Sequence, residues 1–219
     1  MNRLGFLGRY ALIASLAGIA PLLPSTNAPS GSTAPNACGP IDAPYKVRIR
    51  ITASNARRES LPEFRDTVKR TLCDPQSWIA TDQMRIKFVS YGDLRIGLWT
   101  ASETEERCMD LIGLSVDYKY SCADSAQREV VVNGRAWDNG GPGWPDDAGL
   151  LRYRRMLINH ETGHALAQRH RDCPREGAKA PVMMQQSKGM NLNGLTCEPN
   201  PWPLSYERRT LEPPSFYAV

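Results

Sequence analysis

Tyr45-Lys-Val-Arg-Ile-Arg-Ile-Thr-Ala53 alternates apolar and polar residues with a period of two, the pattern of a half-buried strand. From Leu61 to Leu72 the period lengthens. Leu61, Phe64, Val68 and Leu72 share one helical face, Ser60 is placed to cap it, and Pro62 fits its first turn. Asp74-Pro75 ends it. Met84–Val89 and Leu94–Trp99 alternate again, and Tyr91-Gly92-Asp93 between them reads as the turn of a hairpin. Val116–Tyr120 and Glu129–Asn133 are further strand candidates. Asp138–Pro145 is a loop by composition. Asp146 or Asp147 can cap a long helix from about Ala148 to Gln168. Its apolar stripe is Leu150, Tyr153, Leu157 and Ala165, widened by Leu151, Ile158 and Leu166. From Cys173 to Val219 prolines are frequent and no helical period holds, so an ordered but irregular segment is expected. Strands with two main helices and mixed connections predict an α+β domain.

The residues before Tyr45 do not read as fold. Arg3 and Arg9 flank a positive start, and an uncharged run from Tyr10 to Leu23 follows. A membrane span needs about 20 apolar residues, whereas a secretory signal core needs about 7–15. Residues 1–28 are therefore read as a signal peptide or an uncleaved N-terminal anchor. Ala28 offers a small residue for cleavage, but Pro29 follows it. Residues 29–44 have the Pro, Ser, Thr and Asn content of a disordered linker, and 45–219 are taken as the domain. The chain of 219 residues is 41% hydrophobic and 23% charged, ordinary for a globular domain. Its 27 basic and 23 acidic side chains leave a net charge of +4. These cations are scattered along the sequence, and the Arg57-Arg58 pair reads as a solvated loop, so no nucleic-acid partner is expected. Any membrane attachment would run through the N-terminal segment, and a monomer is expected.

An export signal changes the reading of the six cysteines. In an oxidising compartment an even number implies disulfides, although six allow 15 pairings. Cys108 with Cys122 and Cys173 with Cys197 each close a loop between predicted elements, which leaves Cys38 with Cys73. No CxxC pair marks a zinc ribbon or a thiol redox site.

The long helix carries His160-Glu161-Thr-Gly-His164-Ala-Leu-Ala-Gln-Arg-His170, which contains all three histidines of the chain. Four helical steps set His160 and His164 about 40° apart and about 6 Å along the axis, so both rings reach one metal ion. Glu161 stands one step round, beside that face, where a general base for a metal-activated water belongs. His170 would point away on a continuous helix, so the helix must end near Ala167 and the chain turn back. Three imidazoles and one open position make a catalytic zinc site. Gly163 inside the helix costs about 1 kcal/mol against Ala and implies close packing.

These residues resemble the metzincin form of the zinc-peptidase signature, HExxHxxGxxH followed by a methionine turn, with Met183 in Pro181-Val-Met-Met184 as the methionine. The stretch Tyr153–Pro203 is also similar to an uncharacterised family of exported actinobacterial proteins regarded as zinc peptidases. Asn159-His160-Glu161, His164, His170, Cys173-Pro174, Ala180–Met183, Gln185-Gln186 and Cys197–Asn200 carry that likeness, which extends upstream through Cys108, Cys122 and Trp137. The resemblance implies a small metzincin-like zinc peptidase domain, a twisted mixed sheet with an irregular C-terminal subdomain, and Met183 as an apolar floor beneath the ligands. It departs from the signature at Ala167, which stands where the pattern has glycine; Asp172 is the alternative third ligand.

The expected function is a secreted or cell-envelope peptidase holding Zn2+ through His160, His164 and His170. Glu161 would assist attack of water on a peptide or protein substrate. Two alternatives stay open: a non-catalytic domain with a structural zinc site, and an amidase or peptidase acting on peptidoglycan. Tyr206 is the positional candidate for an oxyanion-assisting tyrosine.

Overall fold

The computed structural model describes residues 33–218, so the expected signal segment and the first part of the linker lie outside the described residues. The remainder from Ala34 onward forms one compact unit. Its centre is a six-stranded mixed sheet in the order β1-β3-β2-β4-β6-β5. The strands are β1 (Ala37–Cys38), β2 (Tyr45–Ala53), β3 (Met84–Phe88), β4 (Leu94–Trp99), β5 (Cys122–Asp124) and β6 (Glu129–Asn133). The helices are α1 (Leu61–Leu72), α2 (Ala101–Ile112), α3 (Gly134–Asn139), α4 (Leu150–Ala165) and α5 (Ser205–Arg209). The domain is α+β, with antiparallel edge strands on a parallel centre.

Alternation decides the faces. Val47, Ile49 and Ile51 of β2 and Leu94, Ile96 and Leu98 of β4 join one core with Phe64, Val68 and Leu72 of α1 and Met156, Leu157 and Ile158 of α4. Trp78 and Trp137 are fully buried in it. The opposite face of β6 gives Val131 to a smaller cluster with Cys108, Val116 and Cys122, under α2. Helix α2 is a third main helix that the apolar period does not reveal. It is set by a capping box, in which Thr100 accepts from the Glu103 N–H and the Glu103 carboxylate accepts from the Thr100 N–H.

Several expectations are corrected. The predicted hairpin is absent: β3 and β4 both run parallel to β2, on its two sides. Phe88 ends β3 opposite Ile49, and Leu94 starts β4 opposite the same residue. The chain therefore has no need to return along the sheet and steps across β2. Gly92 permits this, since a Cβ there would lie 2.5 Å from the Arg48 carbonyl oxygen. Val116–Tyr120 is a turn rather than a strand. Helix α4 starts from Gly149, with Asp146 and Asp147 in the preceding 3-10 turn and not capping it. Ser60 occupies the N-cap of α1 without a side-chain hydrogen bond. The end of the expected linker is structured: β1 pairs with β3, and Cys38 is bridged.

Disulfides join Cys38–Cys73, Cys108–Cys122 and Cys173–Cys197, the mark of an oxidising environment. Among the described residues no helix is long and apolar enough to cross a membrane.

Candidate metal centre

Helix α4 delivers His160, Glu161 and His164 from its last two turns. It ends in a Schellman turn: the Gln168 N–H donates to the Gly163 carbonyl at 2.8 Å and the Ala167 N–H to that of His164 at 2.9 Å. Ala167 takes the left-handed position at φ 63°. The turn thus falls where the signature glycine would stand, and the fold holds an alanine there. The same turn aims the Gln168 carbonyl at His164 Nδ1, 2.9 Å away.

The reversed chain brings His170 back. His164 and His170 place their Nε2 atoms 3.0 Å apart, and one ligand atom from each of His160, His164 and His170 lies within 4.8 Å of the others. His160 donates from Nδ1 to the Val182 carbonyl at 2.8 Å. Two of the three rings therefore carry their proton on Nδ1, which leaves Nε2 with a free lone pair. Burial and the neighbouring His164 hold His160 well below the ordinary imidazole pKa. Burial also lowers His164, and with His164 and Lys188 it lowers His170 to about 4. Neutral imidazoles are what a metal requires, and this triad could hold a metal ion. Asp172 is exposed and does not join it.

Glu161 is buried, burial alone raises its pKa to about 8, and its Oε2 has no hydrogen-bond partner in the protein. It faces a cleft of about 260 Å³ that the three histidines also line. One wall comes from Tyr120–Ala123, entering β5; the other comes from Gln185–Lys188. Tyr206 is outside the lining, in α5 beneath the Arg171 guanidinium, which lies 5.5 Å from its ring centroid.

The segment around Met183 supports all of this. Met183 is fully buried, and a Cβ on Gly163 would meet its sulfur at 2.3 Å and Trp78 at 2.9 Å. The helix glycine is thus required for contact with Met183. The Met183 carbonyl accepts from the Arg171 N–H at 3.1 Å, tying the irregular segment that carries His170 to the one that orients His160.

That segment hangs on Glu207, a residue that carries no motif in the sequence. Its fully buried carboxylate accepts from the N–H groups of Val182 and Met183, both at 3.0 Å, and of Leu204 at 2.7 Å. The only sequence signal is its place three residues into a short helix start. Asn159, Gln186 and Asn200 also acquire roles. Asn159 bonds Ser77 and the Pro201 carbonyl; Gln186 and Asn200 bond one another and the carbonyls of Pro181 and Ala180.

The family model described as "Protein of unknown function (DUF3152)" matches residues 42–205, most of the chain. The chain belongs to this family. The matched span holds the three histidines, Glu161 and Met183, while Glu207 lies just beyond it. No curated protein matches the chain.

Proposed function

We propose that this member of the family is an exported zinc-dependent peptidase. The observation that carries the proposal is the buried Glu161 carboxyl, whose Oε2 has no partner in the protein, in the same cleft as three convergent imidazoles. A structural metal site needs no such acid, because an orphaned buried carboxyl costs stability without helping to hold the ion.

The donor set fits zinc, which takes three protein nitrogens and keeps one position open in catalytic sites. His160, His164 and His170 would hold it, with Met183 packed beneath the helix that carries the first two. Bound there, the ion would supply a Lewis acid that polarises a carbonyl and acidifies a water. Glu161 would accept the proton of the attacking water and return it to the leaving amine. Burial alone holds Glu161 near 8, and the charge of a bound cation would draw it down, leaving a carboxylate able to take the proton and an acid able to return it. Among the described residues strand β5 pairs only with β6, and it borders the cleft, so its outer edge suits an extended peptide.

The test is hydrolysis of casein, short peptides and muropeptides, with chelator and zinc add-back. Cleavage of the peptides that is lost on chelation and restored by zinc supports the reading. Cleavage of muropeptides alone transfers the site to peptidoglycan. Zinc binding without hydrolysis of any substrate leaves a structural site.

A further inference from the structure

A second concavity, of about 790 Å³, shares no lining residue with the histidine cleft. Arg50, Arg58, Arg65, Lys69 and Lys87 line it, and no carboxylate does. Arg65 and Lys69 share one face of α1, and the fold sets Arg50 of β2, Arg58 and Lys87 of β3 beside them. Among the described residues none of the five forms an ion pair, whereas Arg57, Arg70, Arg95, Arg107 and Arg154 each do. Lys69 donates to the Asn36 side-chain carbonyl, which leaves its charge uncompensated.

The backbone supplies a second feature. Because β3 stops opposite Ile49 and the chain then crosses to β4, no strand among the described residues flanks Ile51–Ala53 on the β3 side. In a parallel ladder, alternate residues turn their N–H and C=O groups to opposite sides. The Ile49 carbonyl accepts from Val89 on the β3 side, and the Ser54 N–H donates to Leu98 on the β4 side. Ile51 and Ala53 therefore present their backbone groups to the crevice, which both residues line.

We infer that this crevice binds an extended acidic peptide segment, which adds beside Ile51–Ala53 and sets its carboxylates among the five cations. The cations alone would accept any anion; the open strand edge selects a peptide backbone. Arg forks and Lys ammonium groups both pair with carboxylates, so alternate acidic side chains of an extended ligand fit the lining. The site holds whether or not the histidine cleft is catalytic.

The probe is a fluorescein-labelled peptide of alternating Glu and Val, titrated against the full chain by fluorescence anisotropy at low ionic strength. Binding should weaken by about tenfold or more in the variant carrying Arg65→Glu and Lys69→Glu, and should fall with added salt. It should be unchanged in Arg209→Glu and in His160→Ala. Melting curves establish that the variants fold, and Arg58→Glu alone provides a milder second variant. Absence of binding, equal binding of a Lys-for-Glu peptide, or binding indifferent to the charge reversals would overturn the inference. Displacement by tripolyphosphate at the peptide's own concentration would overturn it in favour of a phosphate site.

Discussion

His160 and Val182, 22 residues apart, are joined by a 2.8 Å hydrogen bond from the imidazole Nδ1 to the backbone carbonyl. The N–H of the same Val182 donates to Glu207, so one peptide segment links a buried carboxylate to the orientation of a candidate metal-ligand imidazole. Partners behind a ligand set its ring angle and tautomer, and their loss typically costs about 10–100-fold in metal affinity. Glu207→Gln keeps the shape but removes half of the acceptor capacity shared by three N–H groups. Zinc affinity, measured by competition with a chromophoric chelator, should fall by about tenfold or more. Unchanged affinity in a folded variant would show that Val182 is held without Glu207.

Gly163→Ala tests the contact beneath the helix. Helix propensity alone would favour alanine by about 1 kcal/mol. The new methyl would sit 2.3 Å from the Met183 sulfur and 2.9 Å from the Trp78 ring. Overpacking of this kind costs about 1–3 kcal/mol. Urea denaturation should show net destabilisation, and the penalty of Gly163→Ala should shrink when it is introduced into a Met183→Ala background.

Ala167→Gly should act in the opposite direction. Alanine at φ 63° pays about 1–2 kcal/mol for its Cβ, while glycine loses somewhat more chain entropy on folding. The balance is a gain of about 1 kcal/mol or less in unfolding free energy, with zinc stoichiometry unchanged. A loss of stability would mean that the turn is not strained.

Much of the fold was legible because one face of the sheet is dry. The alternation in Tyr45–Ala53 and Leu94–Trp99, and the stripe Phe64, Val68 and Leu72, follow directly from burial on one side. Helix α2 was hidden because only Thr104 and Cys108 of its 12 residues are buried; the Thr100-to-Glu103 spacing was its readable signal. The supposed hairpin failed because Tyr91-Gly92-Asp93 has turn composition, and composition cannot distinguish a reversal from a step across β2. At the metal centre, helical spacing sufficed for His160 and His164. The place of His170 depended on Ala167 adopting a conformation that alanine disfavours. Glu207 left little trace because two of its three partners are backbone N–H groups more than 20 residues away.

Glu129 contributes to the acid limb of stability. Burial pushes its pKa up, but hydrogen bonds and charge from Arg95 and Arg107 outweigh this and leave it below the ordinary 4.5. A carboxyl whose pKa is lowered by folding contributes stability that is full above its unfolded pKa. That contribution is lost as pH falls through the folded value. Glu129→Gln should therefore melt below the parent at pH 7, and the gap should close as the pH is taken below about 4. A gap that is constant with pH would remove Glu129 from this role.

In the proposed function Glu161 is a base beside a metal rather than a buried residue of a scaffold. Glu161→Gln, compared with the parent for zinc content and for peptide cleavage in one preparation, tests it most directly. The expected result is one zinc per chain in both proteins and turnover in the parent alone, reduced at least a hundredfold in the variant, on the order of what a positioned acid–base group contributes. Equal turnover in the two, or zinc in both with cleavage in neither, would contradict it.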